Sequence, residues 1–218
     1  MKHPRVPPLL VTGFEPFGGE TVNPSALVAR ALHGRHIGGA VVIGVELPCA
    51  FGAALDCLNA ALAEYRPQLV LALGQAGGRC ELSLERVAIN LDDARIADNA
   101  GRQPIDAAVV PGAAAAYFST LPIKAMVAAL REAGVPAAVS STAGTYVCNH
   151  VFFGLQHALA GSGVRSGFMH LPLLPEQAAH TAGQPSLSLA TMVEGVALAL
   201  AVALREKIDL RQTGGTLA

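Results

Sequence analysis

Short apolar runs alternate with Ala- and Leu-rich stretches of helical length, and two of the runs lead into glycine-rich turns. Residues 9–12 (LLVT) lead into GFEPFGG, and Asn23-Pro24-Ser25 reads as a cap with Pro in the first turn of a helix over 25–32. The β-branched stretch 40–47 (AVVIGVEL) predicts a strand, 52–65 a helix, and 68–73 (QLVLAL) a buried strand ending in GQAGGR. Residues 81–90 (ELSLERVAIN) alternate with period two and predict one strand with a polar face. The segment 92–120 has weak periodicity and reads as a long excursion with at most a short strand or hairpin. Regular order returns in a helix over 123–133, a strand over 136–140, a turn at 142–145, a helix over 149–160, a strand over 166–171 and a last helix over 188–207.

Strands separated by helices of this length predict an α/β fold. The expected form is an open, twisted, mostly parallel sheet with helices on both faces, an α/β/α sandwich. Neither a repeat nor a composition break divides the 218 residues, so residues 1–218 read as a single domain. A 52% apolar and 14% charged composition excludes a disordered chain. Fifteen basic and sixteen acidic residues, without a Lys/Arg run, argue against a nucleic-acid or anionic-membrane partner.

The basic start MKHPR is followed by a short, proline-broken apolar run and makes a poor signal peptide. The stretch 187–204 reaches the lower length limit for a membrane span but carries Glu194, so a buried helix is expected. Cys49, Cys57, Cys80 and Cys148 form no CxxC pair and read as thiols in a reducing, cytoplasmic compartment, with Cys57 in a helix core.

In open α/β sheets, ligands bind beyond the carboxyl ends of the strands. GFEPFGG, GQAGGR and the HLP after the last strand all sit there, and TAGTYVC leads into a helix. Cys148 lies where that turn becomes helix, so unpaired N–H groups and the helix dipole favour its thiolate and can hold an oxyanion. A nucleophilic thiolate needs a base. His150 lies two residues on, roughly 200° around the helix axis, and diverges. His157 is more than two turns away; His3, His33 and His36 lie in polar or terminal contexts, and His180 in a loop. His170 closes the last strand on the same sheet edge as Cys148. Glu85, a charge in an otherwise apolar strand, is the best orienting acid. The strand alone does not separate that role from a surface pair with Arg86.

These segments together resemble the cysteine-type pyroglutamyl peptidases, also called pyrrolidone-carboxylate peptidases. The resemblance runs almost end to end, through GFEPFGG with NPS, GQAGGR with LERVAIN, DDARIADN, YFSTLPIKAMV, TAGTYVCNH and GFMHLPLLPEQ. It implies a Cys-His-Glu triad at Cys148, His170 and Glu85, removal of an N-terminal pyroglutamyl residue from peptides, no metal, no cofactor, and commonly a homotetramer, otherwise a dimer. It also implies Phe14 and Phe17 as aromatic walls, Gln75 as a hydrogen-bonding partner, Arg95 as an oxyanion contributor, and Ile96, Tyr146 and Val147 as further lining. Cys49 departs from the family pattern, which has Thr or Val after LP.

Two other readings compete. A different cysteine amidase or aminopeptidase would hold a free ammonium, with Glu15 or Glu20 available. A non-catalytic small-molecule-binding α/β protein would use the glycine-rich loops for anions, but neither loop has GxGxxG or GxxxxGK[ST] spacing.

Overall fold

The computed structural model describes residues 6–215. The basic start MKHPR, with His3, lies outside them. The strands are β1 (Leu9–Phe14), β2 (His36–Ile37), β3 (Ala40–Leu47), β4 (Leu69–Gln75), β5 (Leu82–Glu85), β6 (Val87–Ile89), β7 (Ala116–Phe118), β8 (Ala137–Ser140) and β9 (Arg165–Leu171). The helices are α1 (Pro24–Leu32), α2 (Ala53–Tyr65), α3 (Ile123–Glu132), α4 (Val147–Leu159), α5 (Pro175–Ala178) and α6 (Leu189–Arg205).

Seven strands form one sheet in the order β2-β3-β1-β4-β9-β5-β8, and β6 pairs with β7 in a separate ribbon. The strand alternation fixes two faces. Leu9, Val11, Leu71, Leu73, Leu84, Met169 and Leu171 face a core shared with α1, α3 and α6. Leu10, Phe14, Val70, Ala72 and Phe168 face the other, shared with α2 and α4. This is the expected α/β sandwich with both faces covered.

Local chemistry sets the element ends. Asn23 Oδ1 accepts from the Ser25 amide, and Pro24 opens α1. The helix then lies so close to β1 that a Cβ on Gly13 would sit 2.2 Å from Ser25 O, so the first glycine of GFEPFGG is inside the strand and belongs to packing. Ser188 Oγ caps α6 by accepting from the Thr191 amide. Among the described residues no helix is long and apolar enough to cross a membrane.

Two expectations change. The period-two segment 81–90 is not one strand: β5 pairs with β8 and β9, and after Arg86 the chain leaves the sheet as β6 to pair with β7. Both pieces keep the alternation, so periodicity could not mark the break. The sheet also reverses at β9: β4 and β9 run parallel, whereas β5 runs antiparallel to β9 and carries β8 with it.

Candidate active site

The β4–β9 register places Gly74 beside His170, with both side-chain directions on the α4 face. The first turn of α4 descends onto that spot. A Cβ built on Gly74 would meet Cys148 Sγ at 2.8 Å and the Phe168 ring at 2.8 Å, so the sulfur rests on bare backbone next to His170. Adjacent strands lie about 4.8 Å apart, which brings sulfur and imidazole into one site.

Glu85 arrives from the reversed strand. It stands opposite Phe168 in the antiparallel β5–β9 register, one pleat below His170 and on the same face. His170 Nδ1 lies 2.7 Å from Glu85 Oε1. A carboxylate accepts, so Nδ1 carries the hydrogen and a neutral His170 keeps Nε2 as a proton acceptor. Burial lowers the proton affinity of His170, Glu85 opposes this, and Arg79 adds to it.

His150 forms a second buried pair of opposite consequence. Its Nδ1 lies 2.7 Å from Asp92 Oδ2, and its Nε2 accepts from the Gly52 amide at 3.0 Å. Both ring nitrogens are committed, so His150 has no lone pair left for a thiol.

The sulfur differs from expectation. Tyr146, at the N-cap of α4, provides no capping side chain, so the first-turn amides have no cap from it. Burial nevertheless pushes the Cys148 thiol well up, Cys49 and Glu85 push the same way, and Arg79 opposes. Burial thus works against the thiolate that the helix terminus is expected to favour. All four cysteines are free; Cys57 is half-buried rather than in the core.

A cavity of about 350 Å³ lies beside the start of α4, lined by Phe17, Asp93, Arg95, Ile96, Thr145 and Tyr146. The predicted Phe17, Arg95, Ile96 and Tyr146 thus gather there. Phe14 does not line it: it is buried beneath, 6.5 Å from the Phe168 ring. Val147 is buried in the core. Gln75 is half-buried, and its Oε1 accepts from Gln177 Nε2 at 3.1 Å, leaving its NH2 to donate.

The excursion that forms this wall is tied down along its length. Asp92 bridges Ala107, Thr145 Oγ1 donates to Asp93 O at 2.7 Å, Tyr146 Oη donates to Ala97 O at 3.1 Å, and Asp98 accepts from the Phe51 amide at 2.8 Å.

Two residues were quoted within motifs but assigned no role. Arg79 Nη1 donates to Glu85 Oε1 at 2.7 Å, replacing the Arg86 pairing that the strand suggested; Arg86 instead donates to Gly214 O. Gln177 links Glu20, Val22 and Gln75 through Nε2. The signal for Arg79 was a cation in the same glycine-rich segment as the loop edge of the site.

The sequence model described as pyroglutamyl peptidase matches residues 8–206. The chain belongs to the pyroglutamyl peptidase family. The pyrrolidone-carboxylate peptidase of Cupriavidus taiwanensis is 60% identical over 215 residues, covering 97% of this chain and 100% of that protein. That of Klebsiella pneumoniae is 58% identical, covering 95% and 97%. Among solved structures, pyroglutamyl peptidase I of Bacillus amyloliquefaciens aligns with a TM-score of 0.90 at 43% identity, over 93% of this chain and 98% of that one. A mutant pyrrolidone carboxyl peptidase of Pyrococcus furiosus aligns at 0.88 and 45%, over 90% and 98%. This pyroglutamyl peptidase family member therefore shares the fold of its relatives nearly end to end.

Proposed function

We propose that this family member hydrolyses the bond after an N-terminal pyroglutamyl residue of peptides, with Cys148 as nucleophile, His170 as base and then acid, and Glu85 as the acid that orients His170. The observation that carries this reading is the Nδ1–Glu85 hydrogen bond, which leaves His170 Nε2 unprotonated beside the sulfur resting on Gly74.

His170 Nε2 takes the Cys148 proton as the sulfur attacks the pyroglutamyl carbonyl carbon. The oxyanion forms near the uncapped first-turn amides of α4, with the Cys148 N–H as a donor and Arg95 as a further contributor. His170 then protonates the departing amine, and water hydrolyses the thioester. Glu85 holds the imidazole tautomer throughout. Phe17, Ile96 and Tyr146 form the slot for the flat lactam, with Phe14 and Val147 supporting it from below and Gln75 as its amide partner.

Specificity follows from charge. Pyroglutamate has no α-ammonium. Glu15 Oε1 already accepts from the Cys49 amide and from Asn99, and Glu20 Oε2 accepts from Gln177 Nε2. Both carboxylates considered for an ammonium are thus already hydrogen-bonded. The deciding assay compares hydrolysis of pyroglutamyl and prolyl amides bearing the same leaving group. Turnover of the first and not the second is expected; a preference for the free amine would sink the reading.

The pH dependence follows from the two shifts. Protonated His170 cannot accept the thiol proton, and burial lowers its pKa from 6.5, so the acid limb of kcat/KM is expected below pH 6.5. The raised Cys148 thiol keeps its proton past 9.0, so the alkaline limb is expected above that value. A pH–rate profile checks both; an acid limb above pH 7 contradicts the assignment.

The same reading takes the enzyme as a cytoplasmic homo-oligomer, a tetramer or dimer. Four free thiols fit a reducing compartment, and exposed Phe118 and Ile208 offer apolar surface for self-association. Sedimentation velocity reads the stoichiometry directly.

A further inference from the structure

We propose that Arg79 is a positioning residue of this site: its guanidinium fixes the Glu85 carboxylate that orients His170 and ties that carboxylate to the loop feeding Cys148 into α4. The proposal rests on the reading of Cys148, His170 and Glu85 as the reacting set.

Glu85 is 0% exposed, and two donors converge on one of its oxygens. His170 Nδ1 and Arg79 Nη1 each lie 2.7 Å from Oε1, and Oε2 has no protein partner among the described residues. A carboxylate held by one donor can rotate about its own axis; a second donor from a different direction fixes it. Arg79 reaches further: Nη2 donates to Thr142 O at 3.2 Å, in the turn that delivers Tyr146 and Cys148. One planar fork thus spans the acid of β5 and the approach to the nucleophile. Lysine, a point donor, cannot make that span.

The charge matters as well as the geometry. A buried carboxylate without a cation is costly, and Arg79 supplies the cation while leaving 27% of its own side chain in solvent. The ionisable groups facing His170 are Glu85 from β5, Arg79 from the β4–β5 segment and Cys148 from α4. Arg79 is the cation among them, and it disfavours a charged imidazole. The arrangement keeps His170 a neutral base in spite of an adjacent carboxylate.

The test compares Arg79→Met and Arg79→Lys with wild type in two readouts. Hydrolysis of a pyroglutamyl amide across pH gives kcat, KM and the acid limb. NMR titration of 13C-labelled histidine, with His170 assigned by loss of its signal in His170→Asn, gives the imidazole midpoint without substrate. Arg79→Met is expected to lower kcat about tenfold to a hundredfold, the range of one charge-assisted hydrogen bond, with KM changed little. It is also expected to raise both the acid limb and the His170 midpoint. Arg79→Lys should keep the midpoint near wild type and recover part of kcat.

An unchanged His170 midpoint in Arg79→Met overturns the proposal, including where that variant merely loses thermal stability. Wild-type enzyme inert toward pyroglutamyl amides overturns the proposed function instead, and the titration still decides the role of Arg79.

Discussion

Cys148→Ala is expected to reduce turnover of a pyroglutamyl amide to background, a loss of roughly a millionfold in kcat, because removing the nucleophile removes the covalent route entirely. The fold should persist. The change deletes one sulfur packed on Gly74, worth about 1 kcal/mol of burial. For a chain of this size that is about 2–4 °C in Tm by calorimetry. Pyroglutamyl peptides should still bind by titration calorimetry, since Phe17, Ile96 and Tyr146 are untouched. Full activity in this variant would falsify the mechanism. A variant that loses activity only because it unfolds would appear as a collapsed Tm, and Cys148→Ser then repeats the test with a hydroxyl in the same place.

The second large effect is expected at a residue with no side chain. Gly74→Ala puts a methyl 2.8 Å from Cys148 Sγ and 2.8 and 3.0 Å from two Phe168 ring carbons. Something must move, and the movable parts are the sulfur and the ring beneath His170, 4.9 Å from the imidazole. A displacement near 1 Å costs about a hundredfold in rate, and overpacking costs about 1–3 kcal/mol of stability. The control is Gly77→Ala, three residues along the chain in the turn after β4. There an added Cβ meets only Leu173 at 3.9 Å, an ordinary contact, and activity should change little. Equal activity in both variants would show that the sulfur does not depend on the bare backbone beneath it. Steady-state rates and Tm values for the pair separate the outcomes.

The chain's residues made much of this legible. Apolar runs ending in glycine-rich turns located β1 and β4, the run SGFMHL located β9, and the turn before an apolar helix located Cys148. Three features escaped for physical reasons. Period two is the same in one strand as in two consecutive strands pairing with different partners, so the break after Glu85 left no trace. The ion partner of Glu85 was sought next to it, at Arg86, but strand geometry sends neighbours to opposite faces, and Arg79 reaches it across a loop. The helix terminus is the local signal at Cys148; the opposing burial is set by tertiary packing, which leaves no local sequence signature. The excursion over 92–120 was readable as a departure from regular structure, yet its hydrogen bonds to Thr145, Tyr146 and Phe51 have no sequence signature.

The position of β9 between β4 and β5 has a consequence for biosynthesis. The ribosome releases β1, β3, β4, β5 and β8 before the strand that joins them. Until residue 171 has emerged, the growing polypeptide holds two separate half-sheets with open edges, and Glu85 has Arg79 but not the imidazole of His170 to pair with. The seven-stranded sheet is therefore completed only once β9 emerges, and a product truncated before that point carries Cys148 without His170.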